Sequence, residues 1–225
     1  MKKLLLTLTL VLATLTAGAQ NIFNNPDNHR FFGVRLGLDV TCPTNANFKD
    51  AHTKIDVMNS GAGFSVGAIY QIPVFMNLYV EPGVGLYYHT AKFEKDLLED
   101  VFEEDFKNAS LREFGLTIPV MVGYHFDFGD LKVAPFTGPV FNVGLKGRIH
   151  VGATQGNYEM SGSEGAYGDG GFNRGDVAWR FGASVTWGNI MAQIYGDAAM
   201  TNALHDSPDA TLYRNNFTIG IGYNF

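Results

Sequence analysis

The chain has 225 residues, enough for one ordinary domain or one compact barrel. Charged residues are only 17%, glycine is high at 27, and 18 Phe and 10 Tyr make it rich in aromatics, a mix unlike a charge-rich helical protein or a disordered one. A formal net charge of −6 with no cluster of Lys and Arg argues against a nucleic-acid partner, and the single Cys42 excludes an internal disulfide.

In chain order, residues 1–19 read as a signal peptide. Lys2 and Lys3 supply the positive start, Leu4 to Leu15 the apolar run, and Ala17-Gly18-Ala19 the small-residue cleavage site, so that the mature chain is expected to begin near Gln20. The apolar run is short for a spanning helix, and no later stretch is long enough for one. Residues 20–30 read as a polar tail, and 31–225 as the folded unit.

From Phe32 onward the pattern is alternation with period two, the mark of strands with two different faces. The first runs Phe32–Thr41 and sets Phe32, Val34, Leu36, Leu38 and Val40 against Gly33, Arg35, Gly37, Asp39 and Thr41. The second spans Gly63–Ile72, the third Leu78–Ala91 and the fourth Leu111–Phe126. The fifth, Leu131–Gly147, slips in phase, and a bulge is expected near Gly138-Pro139. The sixth is Val177–Trp187, the seventh runs from Ile190 to near Thr201, and the eighth is Asn215–Phe225. The links after the second, fourth and sixth strands are short: Pro73–Asn77, Asp127–Asp130 and Gly188-Asn189. The other links are long. Outer-membrane barrels pair short periplasmic turns with longer external loops, and an even strand number returns both ends to the periplasmic side.

A soluble carrier barrel also alternates, but it places its apolar set inside and a charged set on the outer wall. Here the polar set is mostly Gly, Ser, Thr and Asn, suited to a crowded interior, while the apolar set is nearly unbroken, as contact with lipid requires. Trp179 and Trp187 share one face of the sixth strand and Phe217 and Phe225 one face of the eighth. At about 3.4 Å per residue and a tilt of about 40°, each pair is separated vertically by about 21 Å, near the apolar band that aromatic girdles flank. These four are the candidate membrane-interface aromatics. The reading is an all-β, eight-stranded antiparallel up-and-down transmembrane β-barrel.

Three segments carry a family resemblance: Leu116-Thr-Ile-Pro-Val-Met-Val-Gly-Tyr-His-Phe126, Ala134-Pro-Phe-Thr-Gly-Pro139 and Gly220-Ile-Gly-Tyr-Asn-Phe225. With them the chain resembles the small outer-membrane β-barrel domains of the Bacteroides lineage, the PorT-like group, over nearly all of residues 30–225. The resemblance implies an integral outer-membrane location. It implies no single activity, since members include adhesin-like, structural and secretion-associated proteins. The terminal Phe225 resembles the signal read by the barrel assembly machinery.

Arg35, Asp39, Glu81, Arg180 and Asp197 fall on the polar face, and are expected to form a polar network across the lumen, because an unpaired buried charge is expensive. A selective pore or proton-linked gate is the rival reading of those residues. Glu81, His89, Glu113 and His125 also fall on that face, but at different heights and without HxxxH or HExxH spacing. Ser110 and Glu113 lie near the outer rim, where barrel enzymes acting on lipid or peptide carry their sites, but no accompanying motif joins them. The second external loop, Glu94 to Asp105, holds seven acids and one lysine, with Phe93, Leu97, Leu98, Val101, Phe102 and Phe106 at helical spacing. A short amphipathic helix is expected there; its spacing is not that of an EF-hand. The third loop, Gly152 to Gly175, has eight glycines with Tyr158, Tyr167 and Phe172, and reads as a mobile loop.

The function expected is that of a structural or interaction protein of the outer membrane, with a filled lumen and external loops that present the working surface. The alternatives are a narrow, porin-like channel and a barrel enzyme. No catalytic, metal or cofactor site is assigned. The expected partners are outer-membrane lipid and lipopolysaccharide, the assembly machinery through Phe225, and an external protein or glycan; no nucleic acid.

Overall fold

The computed structural model describes residues 30–44, 46–48, 53–55, 58–93, 105–155, 158–168, 171–205 and 210–225. The expected signal peptide, most of the polar tail and the acidic loop up to residue 104, with the short helix expected in it, lie outside them.

Eight strands form the wall: β1 Phe31–Pro43, β2 Gly61–Phe75, β3 Leu78–Phe93, β4 Asp105–Tyr124, β5 Leu131–Gln155, β6 Gly175–Trp187, β7 Ile190–Ala199 and β8 Arg214–Asn224. Each pairs antiparallel with its chain neighbours, and β1 closes the circle on β8 from Gly33↔Asn224 to Pro43↔Arg214. Closure leaves the wall without a free edge. After a break at His125, Phe126–Phe128 carries the line of β4 down along β5.

Three links tighten to two residues each. Met76-Asn77 joins β2 to β3, Gly129-Asp130 leads into β5, and Gly188-Asn189 joins β6 to β7. Gly129 (φ 70°) and Gly188 (φ 56°) take the left-handed conformation, which costs glycine nothing; Met76 takes it at φ 51° against its own side chain. Pro73 and Asp127, read from sequence as turn residues, belong to strand segments.

The two faces separate as their chemistry dictates. Phe32, Leu36, Leu38 and Val40 of β1 point out, while Arg35, Asp39 and Thr41 are buried. The same parity holds around the wall. Trp179 is 44% exposed, Trp187 70%, Phe217 42% and Phe225 69%, so all four stand on the outer wall. Phe64, Tyr88 and Phe114 lie side by side on β2, β3 and β4, an upper aromatic row level with the long-loop end. Phe32, Phe75, Phe126, Phe128, Trp187 and Phe225 gather at the tight-turn end.

Several strand details depart from the sequence reading. The β5–β6 register runs unbroken past Gly138-Pro139, so there is no bulge there. The irregularity comes higher, where Phe114 faces Lys146 and Gly115 faces Gly144, leaving Leu145 as the extra residue. Leu145 and Lys146 therefore both point out, and parity inverts above them. The gap between Gly144 and Gly147 in the inward row is the trace of that inversion. Phe93 and Phe106, expected to bound a helix, are the last residue of β3 and an early residue of β4.

The described residues of the third loop form regular structure. β5 continues to Gln155 and turns back as Tyr158–Gly165, pairing from Tyr158↔Gln155 to Gly165↔Arg148. The segment after it dips into the barrel mouth, where Phe172 is 5% exposed and Ala166 fully buried. Among the described residues, Gly152, Gly162 and Gly165 lie in this ladder and Tyr167 and Phe172 pack in the mouth, where the sequence reading expects a mobile loop.

Inside the wall, large residues sit over absent side chains. A Cβ on Gly123 would lie 2.3 Å from the Tyr79 ring of the neighbouring strand. Gly123→Ala is expected to destabilise the barrel by about 1–3 kcal/mol, the cost of overpacking, read as a lower urea midpoint for the reconstituted protein.

Candidate functional site: the filled lumen

From the tight-turn end upward, the lumen is a stack of side-chain layers. At the base, the Tyr79 and His125 rings stack at 4.6 Å, and Gln71 Nε2 lies 2.9 Å from His125 Nε2. Above them Arg35 Nη2 of β1 is 3.8 Å from Glu81 Oε2 of β3, across an intervening strand. The centre holds Arg180 and Asp197, directly paired in register on β6 and β7. The guanidinium donates twice, from Nε to Oδ1 at 2.6 Å and from Nη2 to Oδ2 at 2.8 Å. It also lies 3.8 Å above the Tyr195 ring. Such a forked, stacked cation holds one orientation, which an ammonium would not.

Asp39 pairs with neither arginine directly. Its carboxylate accepts from Thr218 Oγ1 at 2.6 Å and Ser65 Oγ at 3.3 Å, and His89 Nε2 lies 3.3 Å from it. Arg35, Asp39, Glu81, His89, Arg180 and Asp197 line a cavity of about 70 Å³, room for a few waters.

The next layer joins four strands and the third loop. Arg214 Nη1 donates to Glu113 Oε2 at 2.5 Å, and Arg214 Nη2 is 3.7 Å from Asp176 Oδ2. Tyr167 Oη donates to Glu113 Oε1 at 2.5 Å, and Asn142 Nδ2 to Asp176 Oδ1 at 2.7 Å. Burial, and then the Glu113 carboxylate beside it, push the Tyr167 phenol up, so it remains a donor at neutral pH. The tyrosine enters over Gly144, whose Cβ would meet its hydroxyl at 2.0 Å. Above this layer Ala91, Leu111, Ala166, Phe172, Ala203 and Leu212 pack into an apolar cluster in the mouth.

Of the five charges read from sequence as a lumen network, all face inward, in two ion pairs with Asp39 held by hydroxyls and His89. Arg214, Asp176 and Tyr167 were missed. Asp176 and Arg214 lie one residue outside the strands as read from sequence. Extending the alternation outward puts Asp176 in phase with Arg180, and Arg214 in phase with Thr218. Tyr167 had no periodic signal at all. Ser110 and Glu113, three residues apart, take opposite faces of β4: Glu113 is buried in the lumen and Ser110 sits on the outer side opposite Lys92 and His150. Cys42 is an exposed free thiol at the top of β1. No group of His, Cys, Asp or Glu among the described residues has the arrangement to hold a metal ion. No helix among them is long and apolar enough to cross a membrane, which says nothing against crossing by strands.

Among solved structures, the chain is similar to Ail, the attachment invasion locus protein of Yersinia pestis (11% identity, TM-score 0.45, covering 88% of this chain and 99% of that one). It is also similar to Neisserial surface protein A (12% identity, TM-score 0.44, 86% and 97% covered) and to OprG from Pseudomonas aeruginosa (10% identity, TM-score 0.43, 89% and 99% covered). No curated protein matches the chain. The sequence profile of the outer membrane protein beta-barrel domain matches residues 19–208, most of the chain. With its closed wall, apolar outside and charged inside, this chain belongs to the outer membrane protein beta-barrel domain family.

Proposed function

We propose that the chain is a structural or interaction protein of the outer membrane, anchored by a barrel that does not conduct, with the long-loop end presented outside the cell. The observation that carries this reading is the occupied lumen. Paired charges from Arg35/Glu81 to Arg214/Glu113 are capped by the Phe172 and Leu212 cluster, and each paired charge resists removal because it would leave its partner buried alone. The channel reading draws on the polar central cavity. Single-channel recording in planar bilayers tests it: the wild-type barrel is expected to be silent, and stable conductance proportional to salt would overturn the plugged lumen. An enzyme of the rim would need lipid or peptide turnover that disappears in Ser110→Ala; the opposed faces of Ser110 and Glu113 speak against that pairing.

On this reading residues 1–19 are a cleaved leader, and sequencing of the mature protein finds Gln20 first. The ends of β1 and β8 lie beside the tight turns, as Gly33 opposite Asn224 requires, which supports periplasmic termini. Trp179 with Phe217, and Trp187 with Phe225, then mark the two membrane interfaces. Phe225 serves as the assembly signal, and the three motif segments support a kinship with the PorT-like group. Lipopolysaccharide is the neighbour of the outer wall, and an external protein or glycan the partner of the loops.

A further inference from the structure

The outward side chains between the two aromatic rows carry no charge on any of the eight strands. From the upper row upward the wall becomes one-sided. Lys92 of β3, Arg112 of β4, and Lys146 and Arg148 of β5 all point out and are exposed, with His150 above them. Strand register brings them together. Arg112 faces Thr90 on one side and Arg148 on the other; Lys146 faces Phe114; Ser110 links Lys92 to His150. The bulge at Leu145 makes this possible, because without the parity change Lys146 and Arg148 would point into the lumen.

Like charges directly across a sheet repel, so the Arg112–Arg148 pair costs stability unless an anion lies over it. None of the four basic residues pairs with an acid among the described residues. At the same height on other strands stand Cys42 of β1 and Asn215 of β8, both uncharged. The patch begins level with Phe114 at Lys146 and reaches Arg112 and Arg148 two residues higher, about 7 Å along the strand, which is headgroup depth at and just above a hydrocarbon edge. Three strands at about 4.8 Å spacing span about 10 Å, wide enough for a headgroup bearing two phosphates. Directly below lie Leu86, Leu116 and Val143, an apolar track continuous with the patch.

We propose that Lys92, Arg112, Lys146 and Arg148 form a seat for a phosphorylated glycolipid headgroup of the outer leaflet, phosphates on the arginines and acyl chains along the Leu86, Leu116 and Val143 track. Paired guanidinium groups suit phosphate because each presents a planar fork of donors. The seat rests on the reading of the barrel as an outer-membrane protein with lipopolysaccharide at its wall, and locates that contact on one side.

The test uses the mature barrel purified from outer membranes, with retained glycolipid phosphate measured per protein by mass spectrometry. Binding of bis-phosphorylated and dephosphorylated lipid A is compared on delipidated protein. The wild type is expected to retain phosphorylated lipid and to prefer it over the dephosphorylated form. The variant K92Q/R112Q/K146Q/R148Q is expected to lose at least about tenfold in retention while still showing the gel shift of a closed barrel, because charge-assisted contacts outweigh neutral ones. If the fourfold variant fails to close, R112Q/R148Q, which also relieves the repulsion, carries the same expectation. Equal retention by closed wild-type and variant barrels, or equal binding of both lipids, overturns the seat. Absence of the wild type from the outer-membrane fraction would instead overturn the membrane reading beneath it.

Discussion

Ile221→Arg is expected to remove about 2–4 kcal/mol from the stability of the membrane-inserted barrel. Ile221 lies midway between Phe217 and Phe225 on the outward face of β8 and is 60% exposed on a wall that carries no charge at that depth. In water such a change on an exposed surface would be nearly neutral, or would even improve solubility. In lipid the guanidinium must reach the interface by snorkelling or draw water into the hydrocarbon. Urea unfolding from vesicles measures the difference, with Thr218→Ser, an inward position on the same strand, as reference. A midpoint for Ile221→Arg equal to wild type would mean that this wall faces water.

Arg180→Met should cost about 3–5 kcal/mol, because it leaves Asp197 ionised in a closed interior without its cation. Asp197→Leu leaves the opposite charge stranded and carries a similar cost. The double variant Arg180→Met with Asp197→Leu is expected to recover most of the loss: the pair's attraction goes, but so does the penalty of holding two charges out of water. The recovery is incomplete to the extent that Tyr195 loses the guanidinium stacked on its ring. Reconstituted barrels unfolded in urea give all three values. A double variant as unstable as the sum of the singles would show that the two residues act independently, contrary to their forked 2.6 and 2.8 Å contacts.

Much of this architecture is legible because the barrel obeys one local rule. Side chains on a strand alternate, so the identity of one face follows from residue numbers alone. Phe32 to Val40 on β1 and Phe217 to Phe225 on β8 declare an apolar wall without reference to any partner strand. The tight turns are similarly local: Gly129 and Gly188 sit where a left-handed residue is needed. The composition of Gly138-Pro139 suggests an irregularity there, while the bulge's site at Leu145 is set by how β4 and β5 must register. That mismatch concerns two strands, and no single segment records it.

The third loop shows the same limit more strongly. Eight glycines and no periodicity suggest mobility, and nothing in 152–175 says that Tyr167 ends beside Glu113 or that Phe172 packs on Leu212. The mouth of the barrel exists only once eight strands have closed, and the loop's ordered state is the filling of that space. The basic residues of the outer wall are likewise scattered over three segments of sequence until register sets Arg112 against Arg148.

The sequence by itself determined the strand count, the inward and outward sets, the tight turns and the wall's need for lipid, because alternation and turn chemistry act over a few residues. Tertiary structure decided which lumen charges meet, how the mouth is plugged and where the outer charges cluster. Those depend on the height at which each strand meets its neighbour, and that height is a property of the closed circle rather than of any strand in it.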